Sequence, residues 1–291
     1  MFGSNLDAVK SLNSRSRETK IGLAYGLGVP EFICTNPGLV DYLEIPFEQL
    51  RHAPHLRSIQ ESIPLLLHCA SMSVAGSVPP SDETLEEIRE EAERTRTPWI
   101  GEHLAFIAAD ALETASNTLG TPTALTYTVC PQLSEDAVER VLENVAKLRS
   151  RYDVPLILEN SPQYFSIPGS TMSMVDFIAA VFSRCDLGLL LDLTHFLITS
   201  LNTGTDAFEQ LAQLPLERVV EIHISGVNVQ SGVAWDDHSI PAPSLVFKLL
   251  EHVLDRARPL ALTLEYNWSP YFPETILREH IQRLRHLIGR L

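Results

Sequence analysis

The heptapeptide LLLDLTH, residues 189–195, decides the fold. Three leucines run into a carboxylate, Asp192, and a histidine, His195, follows three residues later. A short apolar run of this kind reads as a strand buried on both faces. Its tip carries groups that are costly to bury without a partner. The same ending recurs along the chain. Apolar runs close on His68 (PLLLHC), on Glu102 and His103 (WIGEHL), on Glu159 (PLILEN), on His223 (VVEIHIS) and on Glu265 (LALTLEY), and a separate WDDHSIP segment adds Asp236 and His238. One such ending is ordinary, because a lone histidine after an apolar run is more often a hydrogen-bonded core residue. A lone acid there more often caps the next helix. Six endings of the same kind need a common cause.

Working outward, strands are expected at 21–26, 42–47, 64–69, 99–104, 155–160, 188–193, 219–225 and 260–266, with Glu44 inside the second. Between them lie helical patterns. Ser81 is placed to cap SDETLEEIREEAERT, and Ser134 to cap EDAVERVLENVAKLRSRY. Further helices are expected at 173–184, 205–213, 244–258 and 274–290. Residues 226–243 read as a loop. Residues 105–131 have no helical period and read as a long loop or hairpin able to act as a lid. Eight strands alternating with helices imply a parallel sheet closed into a (β/α)8 TIM barrel. Residues 1–19 read as a flexible tail, and 20–291 as a single barrel domain.

Composition narrows the function. With 22 Lys and Arg against 37 Asp and Glu, the formal net charge is −15. Such a surface repels phosphate backbones, so nucleic acid is not expected as a partner. No run approaches the length of a membrane span, and the polar N-terminus lacks a signal core. The four cysteines, Cys34, Cys69, Cys130 and Cys185, form no C-x-x-C pair. A reduced, cytoplasmic setting is expected.

In a barrel, strand C-termini gather at one mouth. Nine residues would then converge there: His68, His103, Glu159, Asp192, His195, His223, Asp236, His238 and Glu265. The remaining histidines, His52, His55, His252, His280 and His286, fall in helical or loop stretches and are expected at the surface. Crowded carboxylates need a counter-charge, which metal cations supply. Nine donors exceed what one ion holds, so two or three ions are expected. Mixed imidazole and carboxylate suits iron, manganese or zinc.

The pattern of ligands resembles the trinuclear site of endonuclease IV-like barrels, a group that includes the xylose isomerase-like barrels. The segments GEHLAF, LILENSPQYFSIPGSTMS, GLLLD, LERVVEIHISG and DDHSIPAP are more specific. They resemble the multinuclear non-heme iron-dependent oxidative enzymes, the family of the methanobactin-biosynthesis oxidase and the thiaglutamate-pathway enzyme. The resemblance runs from about residue 20 to about residue 270. It implies two or three irons, mixed Fe(II)/Fe(III), with O2 as co-substrate. It also implies modification of a cysteine in a ribosomally synthesised precursor peptide, with excision of the cysteine Cβ as the leading expectation. A separate partner protein that binds the leader of that peptide is implied as well. His195 departs from the family pattern, where Asn commonly stands. As the stronger ligand, it predicts a better-occupied third metal position. His195, Asp236 and His238 are the expected catalytic residues, with Tyr127 or Trp268 packing the peptide. The rival activities are a trinuclear zinc phosphodiesterase and a divalent-metal sugar isomerase. The rival from another class is a non-catalytic metal-binding partner protein.

Overall fold

The structure, a computed structural model, describes residues 18–109 and 123–289. Its centre is a closed barrel of eight parallel strands, each barrel strand paired with the next along the chain and the last with the first. In chain order the elements are β1 (Lys20–Ala24), α1 (Val29–Thr35), β2 (Tyr42–Pro46), α2 (Phe47–His52), β3 (Leu65–Cys69), α3 (Asp82–Thr95), β4 (Ile100–His103), β5 (Phe106–Ala109), β6 (Thr123–Val129), α4 (Glu135–Arg149), β7 (Leu156–Glu159), α5 (Met174–Arg184), β8 (Gly188–Asp192), α6 (Leu193–Thr203), α7 (Ala207–Leu211), β9 (Val219–Ile224), β10 (Gly226–Gln230), β11 (Val233–Asp237), α8 (Ser244–Leu254), β12 (Ala261–Leu264) and α9 (Glu274–Ile288). Ser81, Ser134 and Ser173 cap α3, α4 and α5 through their side chains, as the sequence suggested for the first two.

Alternation along each strand sorts the side chains. Leu43, Ile45, Leu65, Leu67, Leu156, Leu158, Leu189, Leu191, Ile222 and Leu262 belong to the large core cluster that also takes in the helices. The other parity faces the barrel interior. There Tyr42, Leu66, Trp99, Ile157, Leu190, Val220 and Ala261 form a separate cluster that plugs the barrel. Two residues further along the same strands stand Glu44, His68, Gly101, Glu159, Asp192 and Thr263. Of these, His68, Glu159 and Asp192 reach the mouth directly above the plug, while His103, His223 and Glu265 stand one inward position beyond Gly101, Glu221 and Thr263. A bulge in β9, between the pairs Leu189↔Val219 and Leu190↔Glu221, brings Glu221 into register with them.

Four expectations change. The 226–243 segment is not a plain loop: β10 and β11 pair as an antiparallel hairpin. Its turn places Ser231 at φ 52° and Gly232 at φ 81°, the left-handed pair that a two-residue hairpin turn needs. Helix α6 covers 193–203, where no helix was expected, and the helix expected at 205–213 shortens to α7. His280 is buried, not at the surface, and its Nδ1 lies 2.8 Å from the Tyr266 hydroxyl. The tail reading covers residues 1–19, of which 1–17 lie outside the described residues. Thr19 is already anchored, donating to the Pro259 carbonyl at 2.7 Å. The centre of the proposed lid, 110–122, is also outside the described residues; its flanks pair as β5 and β6.

Candidate metal centre

Strand register sets the site. His103 pairs with Glu159 across β4 and β7, and Asp192 pairs with His223 across β8 and β9. His68 sits opposite Gly101, where a Cβ would stand 2.5 Å from its Nδ1; the missing side chain makes room for the imidazole. Glu102 follows the opposite parity. It leaves the barrel and accepts from the backbone N–H groups of Met72 and His103, so this strand-end acid takes no place in the cluster.

All nine expected residues meet. Glu159 is the hub: its Oε2 lies 3.2 Å from Nε2 of both His68 and His103, and its Oε1 lies 3.5 Å from Nδ1 of His195 and of His223. Glu265 Oε2 is 3.3 Å from His223 Nδ1. Asp236 Oδ2 stands 3.6 Å from His195 Nε2 and 2.7 Å from His238 Nε2. Donor atoms of His68, His103 and Glu159 lie within 4.8 Å of one another, and so do those of Glu159, Asp192, His223 and Glu265. These are carboxylate–imidazole groups able to hold metal.

The surrounding hydrogen bonds leave particular atoms free. Asp192 combines two roles that the sequence had set against each other. Its Oδ1 caps α6 by accepting from His195 N at 2.6 Å, while its buried Oδ2 makes no hydrogen bond. His103 Nδ1 is 3.1 Å from the Cys69 carbonyl, His195 Nδ1 3.0 Å from the Asn160 carbonyl, and His238 Nδ1 2.9 Å from Asn267 Oδ1. Each contact fixes one ring nitrogen and directs Nε2 to the cluster. His223 is turned the other way, with Nε2 on Glu44 at 3.0 Å. Five buried donor atoms of the nine residues, His68 Nδ1, Glu159 Oε2, Asp192 Oδ2, His223 Nδ1 and His238 Nε2, make no hydrogen bond, the last despite its 2.7 Å approach to Asp236 Oδ2. Such atoms are rare unless something fills the space between them. The donor set and the orphaned atoms fit metal ions.

Electrostatics agree. Burial would lower the histidines, but the facing carboxylates win: Glu159 chiefly holds His68 up at about 9, and Asp236 chiefly holds His238 up at about 9. His195 and His223 are also raised, against burial, by Asp192 and Glu44 respectively. His103 is lowered, mainly by burial. Asp192 is raised to about 7 by burial, whereas Glu265 is held down at about 2, against burial, chiefly by His223. Without ions, protons neutralise the cluster; bound cations would displace them.

Above this floor opens a pocket of about 610 Å³. His103, Glu159, His195, Asp236, His238 and Glu265 line its base, and Tyr127, Tyr164, Phe165, Trp235 and Trp268 its walls. Trp268 stacks on His238 at 4.5 Å and Trp235 on Tyr164 at 4.6 Å. No lysine or arginine lines it among the described residues.

Two inward residues outside the nine, Glu44 and Glu221, belong to this region. The signal for them was present: a charged residue at inward parity inside YLEIPF and VVEIHIS cannot lie in a barrel without a partner.

Comparison with known proteins places the chain. A UPF0276 protein of Caulobacter vibrioides is 27% identical over 278 residues, covering 92% of this chain and 95% of that protein. A UPF0276 protein of Rhizobium meliloti is 30% identical over 245 residues, covering 81% and 75%. Among solved structures, a xylose isomerase domain containing protein from Salmonella typhimurium aligns with TM-score 0.60 at 14% identity, over 93% of this chain and 97% of that one. Endonuclease IV from Thermus thermophilus aligns with TM-score 0.55 at 17% identity, over 92% and 99%. These two likenesses are of fold. The family model described as "RiPP precursor modification enzyme MbnB/TglH/ChrH" matches residues 20–288. With that match spanning nearly the whole barrel, the chain belongs to the MbnB/TglH/ChrH family of RiPP precursor modification enzymes.

Proposed function

We propose that the chain is an iron-dependent, O2-using enzyme that oxidatively modifies a cysteine in a ribosomally made precursor peptide. Thiaglutamate-type excision of the cysteine Cβ is the leading form. The observation that carries this reading is the set of five unpartnered, buried donor atoms beneath a pocket with uncharged aromatic walls. His68, His103 and Glu159 would hold one ion. Glu159, Asp192, His223 and Glu265 would hold a second, and His195, Asp236 and His238 a third. When bound, iron supplies redox chemistry with O2 and a position for a soft thiolate.

The residues of the chain do the rest. His195, Asp236 and His238 line the pocket, as do His103, Glu159 and Glu265, whereas His68, Asp192 and His223 do not; the first three, which would hold the outer ion, are the proposed catalytic residues. None of the nine is a cysteine, which leaves the thiolate to the peptide. Tyr127, which is 69% exposed, and Trp268, which is 59% exposed, offer planar faces to a peptide. Among the described residues the pocket supplies no lysine or arginine for a phosphodiester, which disfavours the endonuclease reading despite the shared fold. A separate leader-binding partner and a cytoplasmic, thiol-preserving setting complete the proposal.

The test joins elemental analysis of protein from iron-supplied cells to oxygen uptake and peptide mass. The peptide is the precursor encoded beside this chain's gene, in Cys and Ser versions. Two or three irons per chain and turnover of the Cys version alone are expected. Stoichiometric zinc with no redox activity would overturn the iron reading. Equal turnover of both versions would remove the thiol from the mechanism.

A further inference from the structure

Below the nine residues lies a second polar layer. His223 Nε2 is 3.0 Å from Glu44 Oε2 and 3.6 Å from Glu221 Oε1. Thr263 Oγ1 is 2.9 Å from Glu221 Oε1 and 3.2 Å from Glu44 Oε2. The Tyr42 hydroxyl lies 2.7 Å from Thr263 Oγ1, and Trp99 Nε1 donates to Glu221 Oε2 at 2.8 Å. Glu44, Glu221, His223 and Thr263 are all at most 2% exposed.

Glu44, Glu221 and His223 are close enough to hold an ion themselves. Their hydrogen bonds argue otherwise. Glu221 accepts through its two oxygens from Thr263 and Trp99, Glu44 Oε2 meets His223 and Thr263, and neither carboxylate contributes a buried orphaned oxygen. The unpartnered nitrogen of His223 is Nδ1, on the opposite side of the ring, facing Glu159 and Glu265. The layer is saturated; the cluster above it is not.

We propose that Glu44 and Glu221 are positioning residues. They hold the proton of His223 on Nε2, present Nδ1 upward as the metal-binding nitrogen, and make the position shared by Glu159, Asp192, His223 and Glu265 the first to fill. The other three fixed histidines lean on neutral acceptors, namely the carbonyls of Cys69 and Asn160 and the amide of Asn267. His223 alone of the four leans on a carboxylate, with a second carboxylate behind it. A carboxylate acceptor makes the imidazole a stronger donor to metal, and losing such a partner commonly costs about 10–100-fold in metal affinity. The proposal rests on the reading of His223 as a metal ligand.

The experiment titrates the full-length apo protein with Co(II), following stepwise affinities and the hyperfine-shifted, solvent-exchangeable imidazole N–H signals. In the native protein the tightest step should bring up an N–H signal from His223. In Glu44→Ala that step should weaken by about 10–100-fold and the signal should vanish into solvent exchange, while later steps keep their affinities. Glu44→Gln keeps the volume and an acceptor oxygen. It should retain the signal and recover part of the affinity, and it decides the matter if the alanine variant does not fold. Glu221→Gln should weaken the same step by less. Unchanged stepwise affinities in Glu44→Gln and Glu44→Ala would overturn the proposal. So would a His223 ring bound through Nε2 with no exchangeable proton, since Glu44 and Glu221 would then be ligands. Native protein that binds no Co(II) at all would instead sink the metal reading beneath both.

Discussion

Two polar layers are stacked in one barrel, and one difference between them matters most. The lower layer of Tyr42, Glu44, Glu221 and Thr263 is closed by its own hydrogen bonds. The upper cluster around Glu159 keeps orphaned atoms on His68, Glu159, Asp192, His223 and His238. Both layers are buried and both carry carboxylates, so neither burial nor charge separates structure from site. Satisfaction does. A saturated polar layer fixes side chains, whereas an unsaturated, equally buried one marks space for a ligand.

The most severe way to test that contrast is Glu159→Ala. Glu159 touches four histidines, so its loss removes the hub of two proposed ion positions. Losing an outer partner of a ligand already costs about 10–100-fold in metal affinity, and losing a ligand shared by two positions should cost more at both. Metal content should fall by two ions per chain by elemental mass spectrometry, with circular dichroism unchanged. Full metal content would mean that the orphaned atoms do not mark the site.

Next in size is Asp236→Ala. Asp236 stands between His195 and His238 at the base of the pocket, and its other oxygen accepts from Ser225 Oγ at 2.6 Å. Peptide-dependent O2 uptake should fall by about two orders of magnitude while secondary structure stays intact. His195→Asn should do less. Its ring donates Nδ1–H to the Asn160 carbonyl and offers Nε2 to the outer position. One metal equivalent should bind about 10–100-fold more weakly, read from stepwise titration, with the other steps unmoved.

Acidity gives a gentler test, with opposite signs for the two forms. His68 and His238 stand at about 9, above the ordinary histidine value. In the apo protein these raised values contribute stability that is fully present below about pH 6.5 and lost as pH climbs through about 9. Apo Tm should therefore fall across that window. Metal binding needs the same rings neutral, so affinity should rise there, by up to about tenfold per pH unit for each proton displaced. Apo Tm and metal affinity rising together would show that the facing carboxylates do not hold the protons.

Much of this was legible in the sequence because barrel strands report their inward positions with a period of two. Ile157 to Glu159 and Leu190 to Asp192 are plain in the letters. Helix α6 was not legible for a physical reason. Residues Leu193 to Ser200 are all buried, so LTHFLITS shows no amphipathic period to read. The β10–β11 hairpin did leave a signal, since Ser231-Gly232 sits between the alternating VNV and VAW. His280 left one too: with Leu277, Ile281 and Leu284 it falls on the apolar stripe of α9. Glu44 was visible as a charge inside a strand, but its role depends on β9 and β12, which no local pattern brings to it.

The smallest expected effect is the sharpest check on direction. Asp236 and Asp237 are neighbours in β11, so their side chains point to opposite faces. Asp236 turns to the cluster. Asp237 turns away: its Oδ1 accepts from Ser239 N at 2.9 Å and its Oδ2 from Asn228 Nδ2 at 2.9 Å. Burial pushes the Asp237 carboxyl up, but those bonds, which tie the end of the hairpin, together outweigh it and hold the group below its usual range. Asp237→Ala should therefore leave metal content unchanged and activity within about twofold. Its cost should be that of one or two partly exposed hydrogen bonds, about 1 kcal/mol in a urea denaturation curve. The pair of alanine variants reads the parity of the hairpin without a further structure. An inactive Asp237→Ala beside an active Asp236→Ala would reverse that parity and move the outer metal position to the other carboxylate.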